Sequence, residues 1–252
     1  MKRLYSIIVV LFTVNMFMLA QNTNGQSSEV FDSITFMKDW NAITSFIKSD
    51  IIQFMGIPVD GTKKEMTRKL KKKGFKSDKY GLGYLEGEFN GNSSKIFILT
   101  NKKKVWRIAV VDDVAMDADN IKTRFNNLCY QFYNSDKYSM KDYDEKMNNI
   151  SDTIPYTIPD DEDISFNIEK LNKNYEASFS QRSNIQRADI EMLLSKSKVD
   201  VSLADFFMGD ANIHALLTKG VSFTIRKSPR GSGYIIIMYY DNVYNQADGE
   251  DL

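Results

Sequence analysis

The sequence predicts an α+β fold in which meanders of antiparallel strands carry helices on one face. Stretches between residues 84 and 112, and between 164 and 179, alternate apolar and polar side chains with the two-residue period of a strand. Segments at about 33–49, 62–73 and 119–132 instead repeat their apolar residues every three or four positions, as a helix with one buried face does. Because short turns separate the strands, neighbouring strands should pair antiparallel.

Two helices are predicted before the first strands. The helix at about 33–49 has one apolar stripe, formed by Phe36, Trp40, Ile43, Ile47 and Ile51. Residues 53–58 then indicate a short extended segment. The helix at about 62–73 begins with a threonine that can cap it, has Glu65 three residues on, and stops at Gly74.

Three strands and a third helix follow. The strands are predicted near 84–89, 95–100 and 105–112, and asparagine-containing turns join them. The helix opens near residue 119. Its apolar face, which should lie on the sheet, consists of Ile121, Phe125, Leu128, Cys129 and Phe132.

The second part of the chain repeats this pattern. Strands are predicted near 164–169, 175–179, 221–226 and 234–240. The segment between the strand pairs, residues 183–219, has broken helical periodicity and is interpreted as a helical insertion. Because the last strand is apolar on both faces, it should lie at the centre of the sheet and be covered on both sides.

The beginning of the chain predicts export. Residues 1–20 combine two cations with an apolar run that ends in a small residue, as secretory signal peptides do. A membrane anchor is the alternative, although the run is slightly short and contains Asn15. Residues 21–32 are a polar lead-in. We expect an N-terminal α+β half at 33–150 and a C-terminal half at 151–252 that carries the insertion.

Composition limits the partners. Without residues 1–20 the chain has 31 basic and 33 acidic residues, a net charge of −2. This balance argues against nucleic acid as a partner. Cys129 is the only cysteine, so no disulfide can form within the chain, and an exported protein of this kind must rely on its hydrophobic core.

Two sequence signatures carry a resemblance. The segment FMGIPVDGT at 54–62, and the tail that begins YYDN at 239–242 and closes in GEDL, resemble a group of uncharacterised exported proteins of Gram-negative gut-type bacteria. The resemblance implies export and no particular activity. The succession of helix, meander, helix and meander is also similar to the layout of the β-lactamase inhibitor protein fold, which bears on shape rather than task.

The residues that usually carry catalysis are few. His214 is the only histidine, and its apolar neighbours indicate a surface or partly buried side chain. One histidine and one cysteine nearly exclude a zinc site. A papain-like pairing of Cys129 with His214 stays open, although Cys129 fits a buried core position better. No phosphate-binding loop or serine-hydrolase motif occurs, so no cofactor is predicted.

Acidic residues form two groups. One is the run 160–163, and the other comprises Asp112, Asp113, Asp117 and Asp119. Their oxygens could bind calcium, but neither group matches the twelve-residue calcium loop. A solvated loop and a helix N-terminus explain them better, so no metal site is predicted.

The segment 63–79 is strongly basic, with nine cations and two acids. Met66 and Leu70 lie four residues apart, which predicts a helix that is basic outside and apolar beneath. This face is the candidate binding patch, either for an anionic glycan or lipid surface of the envelope or for an acidic protein, and a solvated helix face is the alternative. Its members are Lys63, Lys64, Arg68, Lys69, Lys71, Lys72 and Lys73.

These observations favour a binding protein over an enzyme. The leading hypothesis is a non-enzymatic exported protein, periplasmic or secreted, that binds another macromolecule through the open face of its sheet or through the basic helix. The alternative is a carboxylate-dependent hydrolase of glycans or peptides. A pocket lined by two carboxylates would favour the hydrolase.

Overall fold

The computed structural model describes residues 33–140, 158–164, 175–196 and 203–246. Its contacts divide the chain into two units, 1–42 and 43–252. The described part of the first unit is the beginning of helix α1, and the features below belong to the second unit. Four predictions concern residues outside the described ranges, wholly or for the most part: the signal peptide, the lead-in, the strand near 164–169 and the GEDL tail.

The structure begins with a helix and a small hairpin. Helix α1 spans Ser33–Lys48, as predicted. The segment predicted to be one extended stretch is instead a two-stranded hairpin of β1 (Gln53–Phe54) and β2 (Ile57–Pro58). The reason is the turn between them, where Met55 and Gly56 have φ values of 52° and 77°. Positive φ at both central positions is the geometry of a tight hairpin turn.

The next two helices confirm the sequence patterns. Helix α2 spans Lys63–Lys72, and Thr62 and Glu65 form the predicted capping box. Helix α3 spans Ala118–Tyr133, and the side chain of Asp117 accepts from the backbone N–H of Asn120 to cap it. All five residues of its predicted apolar face are buried.

Within the described ranges, eight strands form one antiparallel sheet in the order β3-β4-β5-β6-β10-β9-β8-β7. Strands of the first half of the chain therefore share a sheet with strands of the second half. Along the chain they are β3 (Lys76–Ser77), β4 (Leu85–Phe89), β5 (Asn92–Asn101), β6 (Lys104–Asp112), β7 (Tyr138–Met140), β8 (Glu176–Gln181), β9 (Lys219–Lys227) and β10 (Tyr234–Asn242). These bounds confirm the α+β fold class with antiparallel meanders.

The core lies between one face of the sheet, here called the inner face, and helices α2 and α3. Met66 and Leu70 of α2, with Phe125 and Leu128 of α3, join the same buried cluster as alternate strand residues. Strand β10 pairs with β6 and β9, so its predicted central position is correct. Its cover is less complete than predicted, because alternate residues on its outer side remain partly exposed.

The insertion between β8 and β9 contains two helices, α4 (Arg187–Lys196) and α5 (Ala204–Thr218). They pack on each other, and α5 also contacts β8 and β9. At this contact the Ser180 hydroxyl donates to the carbonyl of Leu216 at 2.8 Å. Within the described ranges, no helix has the length and apolar character needed to cross a membrane.

Candidate functional site

The predicted basic patch lies on helix α2. Its seven side chains are exposed, while Met66 and Leu70 hold the opposite side of the helix in the core. Hydrogen bonds from the backbone N–H and the side chain of Thr62 lower the pKa of Glu65, so the capping carboxylate stays ionised. The structure thus exposes the predicted cations together, on the side of the sheet that carries α2.

The acidic group at 112–119 is engaged by cations and by a helix end. Asp112 accepts two hydrogen bonds from the Arg124 guanidinium, at 2.7 and 2.8 Å. Asp113 pairs with Lys95 and, at 3.4 Å, with Arg230. Asp117 caps α3, and backbone hydrogen bonding lowers its pKa. Among the described residues no group of acidic, histidine and cysteine side chains has the arrangement of a metal site.

The acidic run 160–163 is held against α3 by hydrogen bonds to its main-chain groups. The Lys122 ammonium donates to the carbonyls of Asp160 and Glu162 at 3.0 and 2.6 Å. The Asn126 side chain forms two hydrogen bonds with the backbone of Ile158: it donates to the carbonyl at 3.0 Å and accepts from the N–H at 2.8 Å. Helix α3 therefore fixes this segment through main-chain groups.

A buried ion pair joins the segment that follows α1 to the start of β9. The Lys219 ammonium lies 2.6 Å from Asp50, and the exposed fractions of the two side chains are 0% and 6%. Ser183 and Asn184 donate three further hydrogen bonds to the Asp50 carboxylate. Although burial raises the pKa of Asp50, the hydrogen bonds from Lys219 and Asn184 outweigh that effect and leave the pKa lowered.

His214 is more buried than the sequence indicated, with an exposed fraction of 3%. Its Nε2 is hydrogen-bonded to the Tyr244 hydroxyl, while its buried Nδ1 has no hydrogen-bond partner in the described part of the chain. Burial lowers the pKa of His214 to about 4; Asp50 opposes this change, and Lys219 and Lys48 add to it. The imidazole is therefore neutral near pH 7.

Cys129 is a core residue, as predicted. It is fully buried in the cluster between the inner face and α3. Burial raises the pKa of its thiol to about 12, so the thiolate needed by a nucleophile does not form near neutral pH. His214 is outside this cluster and is bonded to Tyr244, which gives the papain-like pairing no support.

The outer face of the sheet carries a feature that the sequence reasoning missed. Opposite Leu99 and Thr100 of β5, strand β6 presents Arg107 and Val105, so Trp106 is an extra, unpaired residue in the ladder. Such a bulge re-aims the side chains beside it. Here it brings Trp106 and Arg107 together, with the guanidinium 4.4 Å from the centre of the Trp106 ring.

The Arg107 side chain is held in place from three sides. The centre of the Tyr239 ring lies 4.4 Å from the guanidinium, the same distance as the centre of the Trp106 ring. Asp241 accepts two hydrogen bonds from Arg107, both of 2.6 Å, and these raise the pKa of the guanidinium. The two side chains remain 26% and 19% exposed, so the assembly is ordered but accessible.

Neighbouring strand positions extend this assembly into a patch. Phe97 and Tyr239 flank the small Ala109, and Leu99 lies beside Arg107. The larger apolar side chains are only partly exposed. We call this surface the outer patch; its members are Phe97, Leu99, Trp106, Arg107, Ala109, Val111, Ile237, Tyr239 and Asp241.

A groove of about 530 Å³ lies on the other side of the sheet, between α3 and the β4–β5 turn. Asn90, Asn92, Asn127 and Gln131 are among its lining residues. Asn90 donates to Gln131 at 2.9 Å and so links the turn to the helix. Asp117 is the single carboxylate in the lining, and it is the helix cap.

Comparisons with known protein families, with curated protein sequences and with solved structures found no match to this chain. The resemblances drawn from FMGIPVDGT, from the tail and from the succession of helices and meanders therefore stay predictions. The candidate sites depend on the geometry of the chain itself.

The bulge did leave a trace in the sequence. The residues of β6 that belong to the core cluster on the inner face are Val105, Ile108 and Val110, so their spacing is three residues and then two. A regular strand would have kept the spacing at two. The groove left no comparable trace, because its amides come from separate segments.

Proposed function

We propose that this chain is a non-enzymatic exported protein that binds a partner protein through the outer patch. The observation that carries the proposal is the fixed stack of Trp106, Arg107 and Tyr239 on an accessible sheet face. Tryptophan, tyrosine and arginine are the residue types that contribute most binding energy at protein interfaces. Because Asp241 already holds the arginine, little side-chain entropy is lost on binding.

The residues around the stack are also suited to binding a partner protein. Phe97, Leu99 and Ile237 are partly exposed around it, which provides an apolar area next to a charged and hydrogen-bonding centre. Ala109 lies between Phe97 and Tyr239 in the strand register, and it is itself buried, so a partner would contact the larger side chains around it.

The outer patch and the basic helix are distinct candidates. Helix α2 packs on the inner face through Met66 and Leu70, whereas the outer patch lies on the opposite face. A flat, rigid partner would contact one of them and not both. We favour the outer patch because its side chains are fixed, whereas exposed lysines lose side-chain entropy when a partner orders them.

The hydrolase alternative receives less support from the geometry. It requires two accessible carboxylates that face one substrate. Asp112 is bonded to Arg124, and Asp113 is paired with Lys95. The groove contributes only Asp117, which caps α3.

Site-specific crosslinking in the native host tests the proposal. A photoreactive amino acid at Leu99 should give a defined adduct, whereas the same group at Lys72 on the basic helix should not. The captured protein is then purified and titrated with the full chain. Tyr239→Ala should raise the dissociation constant about 30-fold, the effect of losing a hot-spot residue of about 2 kcal/mol.

The matched control replaces Lys71, Lys72 and Lys73 with glutamine and should leave that dissociation constant unchanged. An adduct that forms only from the Lys72 position would move the interface to the basic helix and contradict the proposal. Equal weakening by the Tyr239 variant and the lysine variant would contradict it as well.

A further inference from the structure

The groove beside α3 is lined largely by neutral side chains that both donate and accept hydrogen bonds. Its amides come from two places, the β4–β5 turn and successive turns of the helix. They are Asn90, Asn92, Asn120, Asn127 and Gln131. Each amide group offers two donors and one acceptor oxygen. The volume of about 530 Å³ lies within the range of small-molecule sites.

The two ionisable residues that line the groove already have partners within the chain. Asp117 is used as the cap of α3. Arg124 is bonded through Nε and Nη2 to Asp112, and the exposed fractions of these side chains are 10% and 4%. Nη1 of Arg124 donates to no residue in the described part of the chain. The buried ion pair thus fixes the guanidinium and leaves one of its donor groups for a ligand.

We propose that this groove binds a neutral oligosaccharide. Sugar hydroxyls donate and accept at the same time, which matches the amides and the remaining donor of Arg124. Asn90, Asn92 and Asn120 each donate one hydrogen bond within the chain. An apolar ligand would still leave the amide of Asn127 and the remaining donor of Arg124 without partners, which is unfavourable. Tyr130 is exposed and follows Asn127 by three residues on α3, a spacing at which two side chains are neighbours on the helix surface. Although Tyr130 is outside the groove lining, its ring is an aromatic surface for a sugar ring that extends beyond the groove.

A peptide ligand fits the groove less well. Extended peptides gain most of their hydrogen bonds from a free sheet edge. This groove is instead walled by a helix and by a hairpin turn, and Leu128 contributes an apolar floor. A site of this kind recognises a ligand through side-chain groups.

Titration of the isotope-labelled full chain, followed by nuclear magnetic resonance, tests the proposal. The probes are maltotriose, triacetylchitotriose and, for the peptide class, tetraalanine. At least one of the two sugars should shift the side-chain amide signals of Asn127 and Gln131 in a saturable manner. Asn127→Ala should weaken that binding at least about ten-fold. Because Asn127 is exposed, this substitution should leave the fold intact.

The matched control is Asn212→Ala, which removes an exposed amide on α5, outside the groove lining. It should leave sugar affinity unchanged, and so should Tyr239→Ala in the outer patch. Saturable binding of tetraalanine alone would overturn the proposal. The proposal would also be overturned if neither sugar gave a saturable shift at concentrations up to about 10 mM. Equal losses of sugar affinity in the Asn127 and Asn212 variants would overturn it as well.

Discussion

Two ion pairs link distant parts of this chain, and they differ in what surrounds them. The pair of Asp50 and Lys219 is almost fully buried, and Ser183 and Asn184 complete the hydrogen bonding of its carboxylate. The pair of Arg107 and Asp241 lies on the outer face between two aromatic rings and remains partly exposed. The charges and distances are alike, but the solvent access is not.

This difference separates a role in stability from a role in recognition. Removing one partner of a buried pair leaves a charge without water or counter-charge, which costs several kcal/mol. Removing one partner of an exposed pair lets water replace it, so the loss is small. We therefore expect the first pair to hold the fold and the second to hold a binding surface in shape.

The largest effect is expected from Asp50→Ala. It leaves the fully buried Lys219 ammonium without its counter-charge and should lower the free energy of unfolding by about 3–5 kcal/mol, measured by urea denaturation. The double variant Asp50→Leu with Lys219→Met removes both charges and should recover part of this loss. A single-variant loss below about 1 kcal/mol would show that water reaches the pair.

The next largest effect is the dependence of stability on pH that arises from His214, which lies near that pair. His214 has a pKa of about 4 in the folded chain, against its ordinary value of 6.5. Between these values the unfolded chain binds a proton that the folded chain does not, so stability falls as the pH is lowered through this window. The loss should reach about 3 kcal/mol, beyond other acid effects.

His214→Gln is the variant that isolates this effect. It should flatten the dependence of the unfolding free energy on pH between about 6.5 and 4, when urea denaturation is repeated across the range. Tyr244→Phe, which removes the hydroxyl partner of Nε2 but keeps the histidine, should retain the pH dependence. An unchanged slope in His214→Gln would contradict the assignment.

A smaller effect on stability is expected from Asp241→Asn. Because Arg107 and Asp241 are partly exposed, the free energy of unfolding should fall by less than about 1 kcal/mol. Affinity for the proposed partner should fall more, because the neutral amide can accept only one of the two hydrogen bonds that hold the guanidinium in place. A loss of stability as large as that of Asp50→Ala would show that the pair of Arg107 and Asp241 also stabilises the fold, and the two pairs would then not differ in role.

The smallest effect is expected at the most exposed pair. Arg187 contacts Glu191 and Asp205 on the surface of α4 and α5, with about half of its own side chain exposed at 52%. Arg187→Ala should leave the midpoint of urea denaturation unchanged. A clear shift of the midpoint would show that exposure does not rank these pairs.

Regular elements of the fold were predictable from the sequence, because each has a local cause. Thr62 and Glu65 mark the start of α2, and the continuous apolar run at 234–240 marks a central strand. The hairpin at Met55 and Gly56 was not predicted, since a two-residue turn is easily taken as part of one strand. The order of the strands in the sheet also depends on pairings between residues far apart in the chain.

The candidate sites were less predictable for the same reason. The exposed basic face of α2 follows from helical spacing alone. The outer patch requires β6 to pair with β10, and the burial of His214 requires α5 to lie near Tyr244. The broken spacing at Val105 and Ile108 was the one available sign of the bulge.

The place of β10 has a consequence for how the chain folds. This strand joins the meander that ends in β6 to β9 and the strands beyond it, yet among the strands that the structure describes it is synthesised last. Until residue 242 is made, β6 and β9 both present unpaired edges, and pairing over such sequence distances is slow. A chain exported as we propose would therefore stay open during nearly all of its synthesis, which suits transport before folding.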